Sequence, residues 1–260
     1  MASFPPPRLV VIGAGFLGRS IADEARAGGW SVYPVVRSES SAAKLRMEYP
    51  EVRAEDAVGP EFWGKDPLEC EAMVWSIAPS GDPAKGEFET VHRQGAVRAA
   101  VWAGKKRIPY VYISSTSVYA EDGGGWVTED SPVATEDSRS SAMVEAERAC
   151  LRAGGTALRL AGLYGKERIL KPDAEGPERW LNLVHVEDAA RAVGIALRQQ
   201  GIILNVCENE PRPRGRPGGS WSADQRRMRR NKRVSNARLR ALGWIPLAAV
   251  ADGELSHPVL

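Results

Sequence analysis

The residues most able to do chemistry stand near the start of the chain, in the run Gly13-Ala14-Gly15-Phe16-Leu17-Gly18. Glycine at the first, third and sixth places permits a tight turn, removes the Cβ that would obstruct a phosphate, and lets a following helix pack closely on the strand before it. The first turn of that helix, from Phe16 and Leu17 onward, then offers free N–H groups and the positive end of a helix dipole to a pyrophosphate. Such a pattern has meaning only after a strand and before a helix. Both are expected here: RLVVI over residues 8–12 is a short apolar run, and Leu17, Ile21, Ala22 and Ala25 fall at helical spacing. The competing reading is a glycine turn that binds nothing.

If a dinucleotide sits there, the end of the second strand selects its ribose. An acidic residue would take the 2′-hydroxyl of NAD, and an arginine the 2′-phosphate of NADP. The sequence runs Val35-Val36-Arg37-Ser38, with no acid before Glu39. Arg37 is a fixed, planar cation suited to phosphate and Ser38 adds a hydroxyl, so NADP is favoured over NAD. A solvated surface arginine is the alternative.

The elements that must position these groups follow from periodicity. Strands are expected at 8–12, 30–36, 72–77, 109–113, 157–160 and 202–206, with helices at 16–27, 87–103, 140–153 and 186–199. Alternation of this kind implies an α/β fold with a Rossmann-type, doubly wound parallel sheet and right-handed crossovers. The segment 211–219, PRPRGRPGG, holds three prolines, three arginines and three glycines and reads as an exposed linker. The expected organisation is therefore a dinucleotide-binding domain over 1–207, with part of a substrate lobe at about 162–184. The linker and a small, shortened C-terminal lobe would occupy 208–260.

Composition narrows the classes of function. The chain has 260 residues, is 43% hydrophobic and 26% charged, and carries a net charge of +2, which gives no general reason to expect a polyanionic partner. No apolar run approaches the roughly 18 residues of a membrane span. Cys70, Cys150 and Cys207 are widely spaced, which argues against a metal cluster or a disulfide framework and favours the reducing cytoplasm. Arg226 to Arg233 places six cations in eight residues, an anion site or a solvated face. Nucleic acid is not expected to bind there, since only Trp221 supplies an aromatic nearby.

Beyond the glycine turn, four further segments carry a family likeness: Ala78-Pro79-Ser80, Ser114-Ser115-Thr116-Ser117-Val118-Tyr119, Arg159 to Gly165 and His185 to Ala190. With them the chain resembles an atypical branch of the extended short-chain dehydrogenase/reductases, the NAD-dependent epimerase/dehydratase superfamily. The resemblance implies that Ser115 hydrogen-bonds the reacting substrate oxygen, that Ala78 and Pro79 lie against the cofactor, and that Asp56 reaches the adenine. It also implies a possible homodimer, and a structural role for His185 at a helix start.

The resemblance requires an acid/base pair, Tyr-x-x-x-Lys, on the helix after Ser115, and the pair is absent. Arg139 and Met143 hold its places, and His92 stands where many relatives have asparagine. Arginine stays protonated and methionine carries no proton to exchange, so neither replaces a phenol tuned by an ammonium. Tyr119 and Tyr164 are the remaining candidate phenols, with packing as their bland alternative. Two functions stay open: an NADP-linked oxidoreductase or epimerase acting on a small-molecule substrate, and a dinucleotide-binding sensor or scaffold.

Overall fold

A computed structural model describes residues 5–64, 68–79, 87–168, 176–215, 219–220 and 230–248. At its centre is a seven-stranded, wholly parallel sheet. It is built from β1 (Arg8–Ile12), β2 (Ser31–Val36), β3 (Arg53–Ala54), β4 (Ala72–Trp75), β5 (Tyr110–Ser115), β7 (Thr156–Leu160) and β11 (Ile203–Val206), in the order β11-β7-β5-β4-β1-β2-β3. Helices cover both faces, which is why these strands read as unbroken apolar runs. Leu9 and Val11 of β1 face one core with α1 (Phe16–Ala27) and α6 (Val186–Ala196). Val10 and Ile12 face the other, with α4 (Val97–Lys106) and α5 (Ser138–Arg152). The winding reverses between β1 and β4, so a crevice opens beyond their carboxyl ends.

Two features depart from the simple pattern. The helix leading into α4 is a π-helix over Glu89–Ala96, where an expected run over 87–103 would be α-helical. Its Gly95 sits so close to β4 that an added Cβ would lie 2.6 Å from the Trp75 ring. Such π-segments concentrate at functional sites. The second departure is the C-terminal organisation. Arg212–Arg214, within the expected linker, forms a strand β12 antiparallel to β9 (Arg179–Leu181). An isolated two-stranded pair tolerates Pro213 because no central ladder needs its missing N–H.

Residues 230–248 pack against the main body. Arg233–Val234 (β13) pairs in parallel with Trp126–Val127 (β6), and a short helix, Ala237–Ala241 (α7), follows. Val234, Leu239 and Trp244 join the core shared by α1 and α6. The Trp244 indole donates to the backbone oxygen of Asp188 at 3.0 Å, and the Asp188 carboxylate accepts the amides of Leu247 and Ala248 at 3.0 and 3.1 Å. Residues 216–218, 221–229 and 249–260, including Arg226 to Arg229 of the basic cluster, lie outside the described residues, as does Ser80.

Candidate active site

A cleft of about 1010 Å³ lies over the switch point. Gly13 turns with φ +93°, and a Cβ on it would meet the backbone nitrogen of Ile77 at 2.7 Å. A Cβ on Gly18 would meet the Gly13 oxygen at 2.1 Å. Packing within the protein therefore accounts for both of these glycines. Gly15 is different, because an added Cβ there meets nothing within 4 Å. The open space adjoins the first turn of α1, where Gly15 supplies no side-chain cap and no acidic residue is present. Uncapped amides, a positive helix end and free volume form a cradle that fits a pyrophosphate.

Around this cradle the strand ends bring together most of the residues expected from the sequence. Phe16, Leu17, Arg37, Asp56, Ala78 and Pro79 all line the cleft. Arg37 is exposed at the end of β2 and has no hydrogen bond or ion pair with a described residue. Ser38 does not line the cleft; its hydroxyl accepts the Ser41 amide at 3.3 Å as the cap of α2 (Glu39–Leu45). Ser41, one turn on, is the hydroxyl residue that reaches the cleft. Asp56 Oδ1 accepts the Val58 amide at 3.0 Å.

At the end of β5, neighbouring serines have opposite tasks because successive strand residues point to opposite faces. Ser114 is buried and donates to Glu147 Oε1 at 2.6 Å, while Arg159 clamps both oxygens of the same carboxylate at 2.9 and 2.7 Å. Ser115 lines the cleft, and its Oγ accepts the Ser117 amide at 3.1 Å. No described acceptor takes its proton, which leaves it free for a ligand oxygen.

The phenols do not join Ser115. Tyr119 is fully buried, donates to Asn205 Oδ1 at 2.6 Å and lies outside the cleft lining. Burial pushes its pKa up to about 12, so the expectation of a cleft acid at this position is corrected. Tyr164 is likewise buried and donates to Glu208 at 2.6 Å. On α5, Met143 lines the cleft and the Arg139 guanidinium stacks 4.8 Å over the Phe88 ring. His92 also lines the cleft; its Nδ1 shares a hydrogen bond of 2.8 Å with Tyr112, and burial pushes its pKa down to about 4. His185 caps α6, with Nδ1 accepting the Glu187 amide at 3.3 Å.

The opposite wall comes from β9 and the C-terminal segment, with Arg179, Trp180, Asn182, Arg230 and Lys232. Arg230 and Lys232 belong to the basic run read from the sequence as an anion site or a solvated face, whereas Arg179, Trp180 and Asn182 were missed. No local signal marked the β9 residues, whose place in the cleft depends on contacts with distant parts of the chain.

No family model matches the chain. It is 29% identical to Protein YeeZ of Escherichia coli (strain K12) over 215 residues, 77% of each chain. Among solved structures it is similar to a functionally unknown conserved protein from Silicibacter pomeroyi DSS, at 23% identity and a TM-score of 0.67, covering 91% of this chain and 92% of that one. It is also similar to the Bordetella bronchiseptica enzyme WbmG in complex with NAD, at 15% identity and a TM-score of 0.77 (94% and 90% covered). A third likeness is to DesIV, a dTDP-glucose 4,6-dehydratase from Streptomyces venezuelae with NAD and TYD bound, at 16% identity and a TM-score of 0.74 (95% and 94% covered). These likenesses show the fold alone: the chain shares the Rossmann-type, doubly wound sheet of these structures.

Proposed function

We propose that this protein is an NADP(H)-linked oxidoreductase or epimerase of the extended short-chain type, acting on a small or nucleotide-linked hydroxy or keto substrate. The observation that carries this reading is the open volume at Gly15 against an uncapped helix start, which packing within the protein does not require. Structures of similar fold that hold NAD support a nicotinamide dinucleotide in that place. Arg37, unpaired at the end of β2, and Ser41 beside it favour a 2′-phosphate. Three unpaired cysteines suit a reducing compartment such as the cytoplasm.

A bound nicotinamide supplies hydride exchange at a carbon bearing oxygen. The amides of the α1 start would hold the phosphates, and Asp56, which lines the cleft, would reach the adenine. Ser115 donates its free hydroxyl proton to the reacting oxygen and stabilises charge developing there. His92, neutral at physiological pH, lines the same cleft.

Fluorescence titration with NADPH and NADH tests the cofactor. NADPH is expected to bind more tightly, and Arg37→Ala to weaken it by about tenfold or more while NADH changes little. Equal affinities unaffected by the substitution would refute NADP selection. The Arg139 and Met143 observations favour a second reading, a dinucleotide-binding sensor that does not turn its cofactor over. Hydride exchange with any member of a substrate panel decides against it.

A further inference from the structure

His92 lines the cleft with one ring nitrogen occupied and the other free. Its Nδ1 lies 2.8 Å from the Tyr112 hydroxyl. Tyr112 is fully buried on β5 and stands outside the cleft lining. Its hydroxyl has no second hydrogen-bond partner among the described residues.

Counting partners places the protons of this pair. A neutral imidazole carries one N–H, and its other nitrogen can only accept. If Nδ1 were the donor, the phenolic proton of Tyr112 would be buried with no acceptor, which costs about 1–3 kcal/mol. Tyr112 therefore donates, Nδ1 accepts, and the imidazole proton sits on Nε2. Burial holds the pKa of His92 down at about 4, and an imidazolium would again strand the phenolic proton, so the ring stays neutral.

The Nε2–H makes no hydrogen bond to a described residue. It is not sealed in the core either: the enclosed side-chain atoms that lack a partner include Trp75 Nε1 and Thr156 Oγ1 but not His92 Nε2. The open space that His92 lines is the cleft, so the free N–H faces it. The π-helix over Glu89–Ala96 carries the residue there, and the Phe88 ring, 5.4 Å from the imidazole, packs against Met143 and its neighbours. A donor without net charge beside apolar side chains suits an uncharged oxygen, a carbonyl or a hydroxyl, and offers no countercharge to an anion.

We propose that His92 donates from Nε2 to a carbonyl or hydroxyl oxygen of the molecule bound in the cleft, and that Tyr112, out of reach of that molecule, is the positioning residue that fixes the tautomer and aim of the imidazole. This role rests on the reading of the cleft as a dinucleotide-dependent active site and adds a recognition group to it. The oxygen belongs either to the dinucleotide or to the hydroxy or keto substrate, and the two sources are separated by adding them in turn.

The chain has three histidines, His92, His185 and His257, so isotope-labelled histidine in the full chain lets nitrogen–proton correlation spectra resolve each ring, and His92→Gln assigns the signal. Without ligand, His92 is expected to carry its proton on Nε2 and to show a hydrogen-bonded, bare Nδ1. NADPH is then added, followed by the panel of hydroxy and keto compounds. A downfield move of the Nε2 proton with NADPH assigns the oxygen to the dinucleotide, and a move only with a panel compound assigns it to the substrate. In Tyr112→Phe the Nδ1 signal should take the position of a nitrogen without a hydrogen bond, and the response of Nε2 to the ligand should shrink. That ligand should bind about fivefold more weakly, while the melting temperature stays within about 5 °C of the wild type.

A proton on Nδ1, an Nε2 proton that moves with neither NADPH nor the panel, or a Tyr112→Phe variant that binds and responds as the wild type does would each overturn the proposal. If Tyr112→Phe does not fold, the tautomer and the ligand response of the wild type still decide. If fluorescence shows no NADPH binding while a panel compound moves the Nε2 proton, the dinucleotide reading fails and the His92 donor stands.

Discussion

His92 shows what burial does to a single titratable group. Its imidazole is 4% exposed and held by Tyr112, and its pKa falls to about 4 from an ordinary 6.5. The folded state thus resists a proton that the unfolded chain accepts, so stability is full above about pH 6.5 and is lost as pH falls toward 4. The loss should approach about 3 kcal/mol, read from urea unfolding at pH 7 and pH 4.5. A His92→Gln variant should show a correspondingly smaller dependence, and an unchanged slope would mean that other groups dominate. At this scale the sequence was legible where chemistry is local. The three glycines, Arg37 and Ser115 line the cleft, because a turn motif and strand ends fix their positions directly. Which phenol is buried was not legible, since Tyr119 finds its partner in Asn205, far along the chain.

The strand β5 is held at its carboxyl end by the Ser114–Glu147–Arg159 network, which ties β5, α5 and β7 together behind Ser115. Glu147 and Arg159 are nearly inaccessible, with side chains 2% and 4% exposed. Removing one partner leaves the other charge buried and alone. Glu147→Ala should therefore cost about 3–5 kcal/mol in chemical denaturation, whereas the double replacement Glu147→Leu with Arg159→Met should restore much of that loss. Similar costs for the single and double variants would refute the pairing as the cause. The long apolar strands and amphipathic helices were readable from periodicity. The two-residue strands β3, β6 and β13 were not, because so short an element carries no period. The π-segment was also hidden; within it Gly95 approaches Trp75 on another element, a contact that local sequence does not reveal.

For the whole molecule, alternation of strand and helix was enough to anticipate the doubly wound sheet, but not where the C-terminal segment goes. Its short apolar stretches pack on a surface shared with α6 and β11, far from them in sequence. Trp244 is 2% exposed in that core and anchors the segment through Asp188. Trp244→Ala should lower stability by about 3–5 kcal/mol in thermal melts, and it should also weaken ligand binding at the far wall more than at the glycine turn. Loss of stability with both walls unaffected would show that the segment does not support the cleft. The same anchoring gives the cleft an order of assembly. The glycine turn precedes Arg230 and Lys232 along the chain, and so it leaves the ribosome before them. A growing chain therefore carries its glycine turn well before it has the residues that complete the other side of the cleft.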